Sequence, residues 1–120
     1  MLSSIIHNTD SFIASVPKLK RKKYGQFFTN MATANFMASL FCFDLTKPEL
    51  HLLDAGAGTG ILSAAVIDKL IQSGYTGRIY LTCYETDELV LPLLKSNLEL
   101  AQGWQPGWRC LCRGRVRARR

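Results

Sequence analysis

The sequence predicts an α/β fold built on a parallel sheet, and three features carry that prediction. Residues 50–53 (Leu-His-Leu-Leu) and 78–84, with Ile79, Tyr80, Leu81 and Cys83, have the length and the β-branched, aromatic and aliphatic composition of strands. Each is followed by a segment with apolar residues at helical spacing. Between the first strand and its helix stands the glycine-rich turn Asp54-Ala55-Gly56-Ala57-Gly58-Thr59-Gly60. Strand, turn, helix and strand in that order make a βαβ unit, whose strands lie parallel and whose crossover is right-handed.

The remaining elements follow in chain order. Over residues 3–15, Ile5, Ile6, Phe12 and Ile13 among polar residues permit a short amphipathic helix. Pro17 opens the basic stretch of residues 18–23, which reads either as a solvated segment or as a phosphate-binding patch, the first being the commoner fate of such a run. Residues 30–43 bring Phe36, Met37, Leu40 and Phe41 to helical spacing, with Thr29 or Asn30 as the capping side chain, and Lys47-Pro48 closes the segment. After the glycines, Ile61, Leu62, Ala65, Val66 and Leu70 predict a helix through residue 73, stopped by Gly74. A last helix starts at about Asp87 or later and runs to Leu100, with Pro92 tolerated in its first turn. The sheet is thus preceded by helices at the N-terminal end.

A chain of 120 residues, 48% hydrophobic and 20% charged, fits one domain. It has no apolar run long enough to span a bilayer and no basic segment leading into an apolar one at the N-terminus, so no membrane anchor or secretory signal is expected and the expected location is cytoplasmic. Cys42 and Cys83 lie in apolar segments, as buried reduced thiols do, and Cys110 and Cys112 lack zinc spacing, so neither a disulfide nor a metal is expected. Charge divides the chain. Residues 1–102 hold all nine acids and nine basic residues, seven of them lysine, whereas residues 103–120 hold six arginines and neither lysine nor acid. The net charge of +6 therefore belongs to the tail, and the change of composition marks a boundary after residue 102.

Glycines between a strand and a helix permit positive φ and let a ligand approach the backbone N–H groups at the helix start. The spacing of Gly56, Gly58 and Gly60 differs from the dinucleotide fingerprint, and Asp54 ends the strand just before the turn. That acid discriminates between ligands. A carboxylate repels a pyrophosphate but stabilises the sulfonium and ammonium groups of S-adenosylmethionine, so a cationic nucleoside cofactor is expected. Glu85 ends the second strand, where a carboxylate can accept both hydroxyl protons of a ribose; its other reading is a cap or a solvated acid.

In these residues the chain resembles the N6-adenine DNA methyltransferases of restriction-modification type. Two motifs carry the resemblance: Lys23-Tyr24-Gly25-Gln26-Phe27-Phe28-Thr29, similar to the family's N-terminal motif, and Asp54 to Gly60, similar to its glycine motif. Together they and the elements around them span about two thirds of the chain. The resemblance implies a Rossmann-like methyltransferase fold, present in part over residues 1–102, and S-adenosylmethionine as cofactor. It implies cofactor contacts from Phe28, Thr29, Asp54, Gly56, Gly58, Gly60 and Glu85, with Phe28 and Thr29 against the methionine portion and Glu85 on the ribose. Taken singly, Tyr24, Phe27 and Phe28 read as core aromatics. Asn30 stands where the family usually has proline, which gives up a pre-set helical φ and keeps a capping oxygen.

The family's Asn-Pro-Pro-Tyr tetrapeptide, which orients the adenine amino group toward the sulfonium methyl, does not occur in this sequence. No catalytic residue is therefore assigned, and the chain is expected to be a cofactor-binding fragment, inactive alone, of an enzyme whose substrate is adenine in duplex DNA. Residues 103–120 show no strand pattern and no apolar period. Two readings fit them: a disordered or frameshifted continuation, or a basic arm making weak nucleic-acid contacts through Arg109, Arg113, Arg115, Arg117, Arg119 and Arg120. Two other functions compete for the whole chain. The rRNA adenine dimethyltransferases also place a Gly-Gln-x-Phe stretch before the glycine motif, although Phe28-Thr29 looks more like the DNA enzymes; the other alternative is a non-catalytic module that binds nucleic acid or a partner.

Overall fold

A computed structural model of the chain describes residues 1–20, 28–102 and the backbone of residues 108–113. Its elements are α1 (Leu2–Ser15), α2 (Met31–Ser39), β1 (Glu49–Asp54), α3 (Ile61–Gln72), β2 (Arg78–Tyr84), α4 (Leu91–Gln102) and β3 (Trp108–Arg113). The strands form one three-stranded sheet in the order β1-β2-β3, parallel throughout. Alternation of strand and helix thus produces the expected α/β arrangement with a parallel sheet.

Register decides which side chains share a face. Leu50 lies beside Ile79, Leu52 beside Leu81 and Asp54 beside Cys83. Ile79, Leu81 and Cys83 are buried in one cluster with Ile61, Ala64, Ala65 and Ile67 of α3 and Leu94 and Leu98 of α4, and Leu50 and Leu52 pack against its edge. Burying an aliphatic side chain of this size contributes about 1.5–3 kcal/mol, so this helix-covered face is the main source of cohesion. On the other face Leu53 remains 68% exposed, and His51 stacks on Tyr80 with ring centroids 4.8 Å apart.

Tertiary burial settles α1, whose apolar period is weak in the sequence. Ile5 is fully buried and Leu2 nearly so, both in the cluster formed by the other helices. For α2 the structure corrects the expected extent, residues 30–43. The helix ends at Ser39, and its buried residues are Ala34 and Ala38, not the larger Phe36, Met37, Leu40 and Phe41, which are exposed. The small alanines let α2 come close to α3. The Lys69 ammonium of α3 donates to the carbonyls of Ala38 and Phe41 at 3.0 and 2.7 Å, satisfying chain-end acceptors that a longer helix would have used internally. Asn30 is the capping residue: its side-chain oxygen accepts from the Thr33 N–H at 2.8 Å.

α3 closes as its sequence predicts, with Ser73 at the C-cap and Gly74 left-handed at φ 79°. The chain then enters β2, whose bounds match the expectation. Pro92 is the second residue of α4, where its missing N–H costs no hydrogen bond. β3 is a correction. Residues 103–120 carry no evident strand pattern, yet Trp108–Arg113 pairs with β2 from Ile79 to Tyr84. Cys110-Leu111-Cys112 is a short apolar run between Arg109 and Arg113 with no clean alternation, and the pairing satisfies the backbone along the second edge of β2. The remaining tail residues, 103–107 and 114–120, with Arg115, Arg117, Arg119 and Arg120, lie outside the described residues, as do Lys23 to Phe27 of the first motif. Cys83 is buried as expected, whereas Cys42 is exposed in the segment that follows the shortened α2. No helix among the described residues is long and apolar enough to cross a membrane.

The Asn30 cap gives a first test. Asn30→Ala is expected to lower stability by about 1 kcal/mol, seen as a lower thermal midpoint with an unchanged far-ultraviolet spectrum outside the transition.

Candidate cofactor site

The turn between β1 and α3 reverses the chain in six residues, and two of its three glycines are conformationally required. Gly58 and Gly60 have φ of 55° and 89°. Gly60 is also pressed from below: a Cβ there would stand 3.2 Å from Leu94 Cδ1 and 3.6 Å from Leu98 Cδ2. Gly56 differs. Its φ is not positive, and a Cβ would meet nothing within 4 Å, so what it leaves is open space at the mouth of the turn.

The turn is sewn to the end of β2. Ala57 N–H donates to the Tyr84 carbonyl at 3.0 Å, and Gly58 N–H donates to Glu85 Oε2 at 2.7 Å. The other oxygen, Glu85 Oε1, accepts from the N–H groups of Thr86 and Asp87, each at 2.8 Å. Three backbone donors therefore converge on one carboxylate, which clamps the turn to β2 and leaves Oε2 with a lone pair for a further donor. Capping and ligand contact are thus compatible for this residue. Asp54 Oδ2 accepts from the Ser63 hydroxyl at 2.6 Å, and that hydroxyl lies 3.8 Å from Cys83 Sγ. Ser63 thereby fixes the half-buried carboxylate at the mouth of the cleft, a role that the sequence signals only as a serine on an apolar helix face.

Phe28, Thr29, Asp54, Gly56, Ala57, Gly58, Thr59, Ile61 and Leu62 line one cleft of about 90 Å³. Six of the seven residues singled out from the sequence thus meet there or adjoin it, since Gly60 directly follows Thr59; the seventh, Glu85, reaches it through the Gly58 N–H. Phe28 approaches Gly58, where a Cβ would lie 3.5 Å from its ring, and stands edge-on to Phe12 of α1 with centroids 6.4 Å apart. Small-molecule sites commonly enclose roughly 300 Å³ or more, so these residues make one wall of such a site. A hollow of about 300 Å³, sharing Asp54 and Leu62 with the cleft, runs along β1 and is lined by Phe41, Phe43 and Leu53 as well. Another, of about 480 Å³, lies between α1, α2 and α3, where Lys69 is already engaged with the end of α2.

Chemically, the wall joins two opposite electrostatic features. Gly60 caps α3 without a side-chain hydrogen bond, so the positive end of the helix dipole faces the turn, while Asp54 places a carboxylate beside it. Such a site suits a ligand carrying both signs of charge over a short distance.

This arrangement, a parallel α/β unit with an acid and a glycine turn at the end of its first strand, defines a protein of the α/β class with a cleft at the carboxyl end of its sheet. Comparison with known proteins narrows the class. The chain is 38% identical over 101 residues to the type II methyltransferase M.BsuBI of Bacillus subtilis, a match covering 82% of this chain and 20% of that protein. It is 38% identical over 82 residues to the type II methyltransferase M.PstI of Providencia stuartii, covering 68% of this chain and 16% of that protein. No protein-family profile matches the chain. The chain is therefore a relative of the type II methyltransferases over most of its own length, and spans about a fifth or less of the length of the curated relatives it matches.

The glycine conformations set a second test. Gly60→Ala forces a side chain into the left-handed region and against Leu94, and is expected to destabilise the protein by about 1–3 kcal/mol, whereas Gly56→Ala is expected to leave the thermal midpoint within about 0.5 kcal/mol of the parent.

Proposed function

We propose that residues 1–102 are the S-adenosylmethionine-binding portion of a DNA methyltransferase that modifies the N6 amino group of adenine, on a Rossmann-like methyltransferase fold. The observation that carries this reading is the convergence of Phe28, Thr29, Asp54 and the glycine turn on one cleft, with Glu85 clamped to Gly58 at its side. Asp54 disfavours a phosphate-bearing cofactor and attracts the ammonium and sulfonium groups, while the amino-terminal end of α3 suits the carboxylate of the same methionine moiety. Phe28 offers an apolar surface for the methylene stem of the methionine moiety, Gly56 and Gly58 leave the backbone accessible, and Glu85 keeps one lone pair on Oε2 that can accept from a ribose hydroxyl. Similarity to two type II methyltransferases supports DNA as the substrate of the whole enzyme.

When bound, S-adenosylmethionine supplies the methyl group. The residues of this chain bind and orient the donor; they do not hold the adenine. Without the Asn-Pro-Pro-Tyr element the exocyclic nitrogen has nothing to align it, so the isolated chain is expected to bind cofactor and leave adenine-containing DNA unmethylated. This agrees with a cleft that forms a single wall.

Calorimetry with S-adenosylmethionine tests the proposal. Saturable binding is expected for the folded chain. Asp54→Asn and Glu85→Gln should each weaken it by about tenfold, because each exchanges a charge-assisted contact for a neutral one. A folded sample that shows no heat at millimolar cofactor overturns the reading and favours a non-catalytic binding module.

A further inference from the structure

A buried polar network reaches the back of the glycine turn from both ends of the described chain. Thr59, the turn residue between Gly58 and Gly60, is 1% exposed, and Thr9 of α1 is 2% exposed. The Thr9 hydroxyl lies 2.8 Å from the Ile5 carbonyl and 2.7 Å from the Thr59 hydroxyl. One proton cannot serve both contacts, so Thr9 donates to the Ile5 carbonyl and accepts from Thr59. From the opposite side Asn97 of α4, fully buried, donates from its side-chain amide to the Thr59 carbonyl at 2.9 Å. Its own amide oxygen accepts from Asn8 Nδ2 at 2.9 Å, which closes the link from α4 back to α1.

Neither helix needs these groups for its own hydrogen bonding. Polar side chains at fully buried positions sacrifice solvation that aliphatic residues of the same size would not, and they persist where the bonds they make fix a conformation. Here both bonds end on Thr59, one on its side chain and one on its backbone. Thr59 is flanked by the two left-handed glycines, the most freely rotating positions of the turn. We propose that Thr9 and Asn97 are positioning residues for the cofactor site: they hold Thr59 from behind, so that the glycine turn keeps its left-handed geometry and faces the cleft without reorganising when the ligand arrives. The proposal rests on the S-adenosylmethionine reading for the identity of the ligand, and it makes α1 and α4 part of the cofactor site although neither lines the cleft.

Thr9→Val retains the shape of the side chain and removes both of its hydrogen bonds; Thr9→Ser retains the hydroxyl. Ile71→Val, near the far end of α3, removes a methylene from a side chain packed on the core and reports loss of stability alone. Dissociation constants for S-adenosylmethionine are measured at a temperature where every variant is folded. Thr9→Val is expected to bind about tenfold more weakly than the parent, while Thr9→Ser and Ile71→Val stay within about twofold, the difference expected from one buried hydrogen bond left unmade. Amide hydrogen exchange gives a readout that needs no ligand. The Gly58 and Gly60 N–H groups, bonded to Glu85 and to the Ala57 carbonyl, should exchange faster in Thr9→Val and unchanged in Ile71→Val. Parent-like affinity and exchange in Thr9→Val, or equal losses in Thr9→Ser or Ile71→Val, overturn the positioning role. If the parent does not bind S-adenosylmethionine, the cofactor reading fails, and the exchange rates still decide whether the network holds the turn.

Discussion

Between Asp54 and Ile61 the backbone has to leave a strand, turn back on itself and start a helix, with the amides of the turn partly withdrawn from water. The left-handed torsions of Gly58 and Gly60 make the path sterically possible, and the clamp from Glu85 and the Tyr84 carbonyl gives the amides of Gly58 and Ala57 partners. Everything around the turn is arranged by that constraint. β2 must end level with β1 for Glu85 to reach Gly58. α4 must lie close enough for Leu94 and Leu98 to fill the space that a side chain at residue 60 would take. Ser63, in the first turn of α3, must face back toward the sheet to hold Asp54.

The same geometry explains why the described helices form a one-sided layer. The core joins α1, α3 and α4 to the face of the sheet that carries Leu52, Leu81 and Cys83, and α2 is added on the outside of α3 through alanine contacts. The opposite face carries an exposed Leu53 and a His51–Tyr80 stack, and among the described residues β1 pairs with β2 alone. Parallel sheets in α/β proteins are ordinarily covered on both faces. Among the described residues the helices cover one face of the sheet.

Some features were legible because they depend on neighbouring residues only. The bounds of β2 follow from Gly77 and a run of aromatic and branched residues, and the end of α3 follows from Gly74. α2 shows the limit of such reading. Its large apolar residues have helical spacing, yet the helix buries Ala34 and Ala38, because close approach to α3 rewards small side chains and Lys69 satisfies the carbonyls at its end. β3 was illegible for a related reason: its apolar run is only three residues long among arginines, and the edge of β2 with which it pairs has no signature in the sequence of residues 108–113.

By itself, the sequence determined where the glycine turn stands, that an acid precedes it and that another ends the next strand, since these are matters of residue type at fixed local spacing. Only the tertiary structure decided what the groups do to one another. Glu85 holds Gly58 across 27 residues, Thr9 meets Thr59 across 50, and Asn8 meets Asn97 across 89. Contacts at such separations have no period that a local pattern can report, and they form because burial of the apolar helix faces brings those polar groups together where water cannot satisfy them.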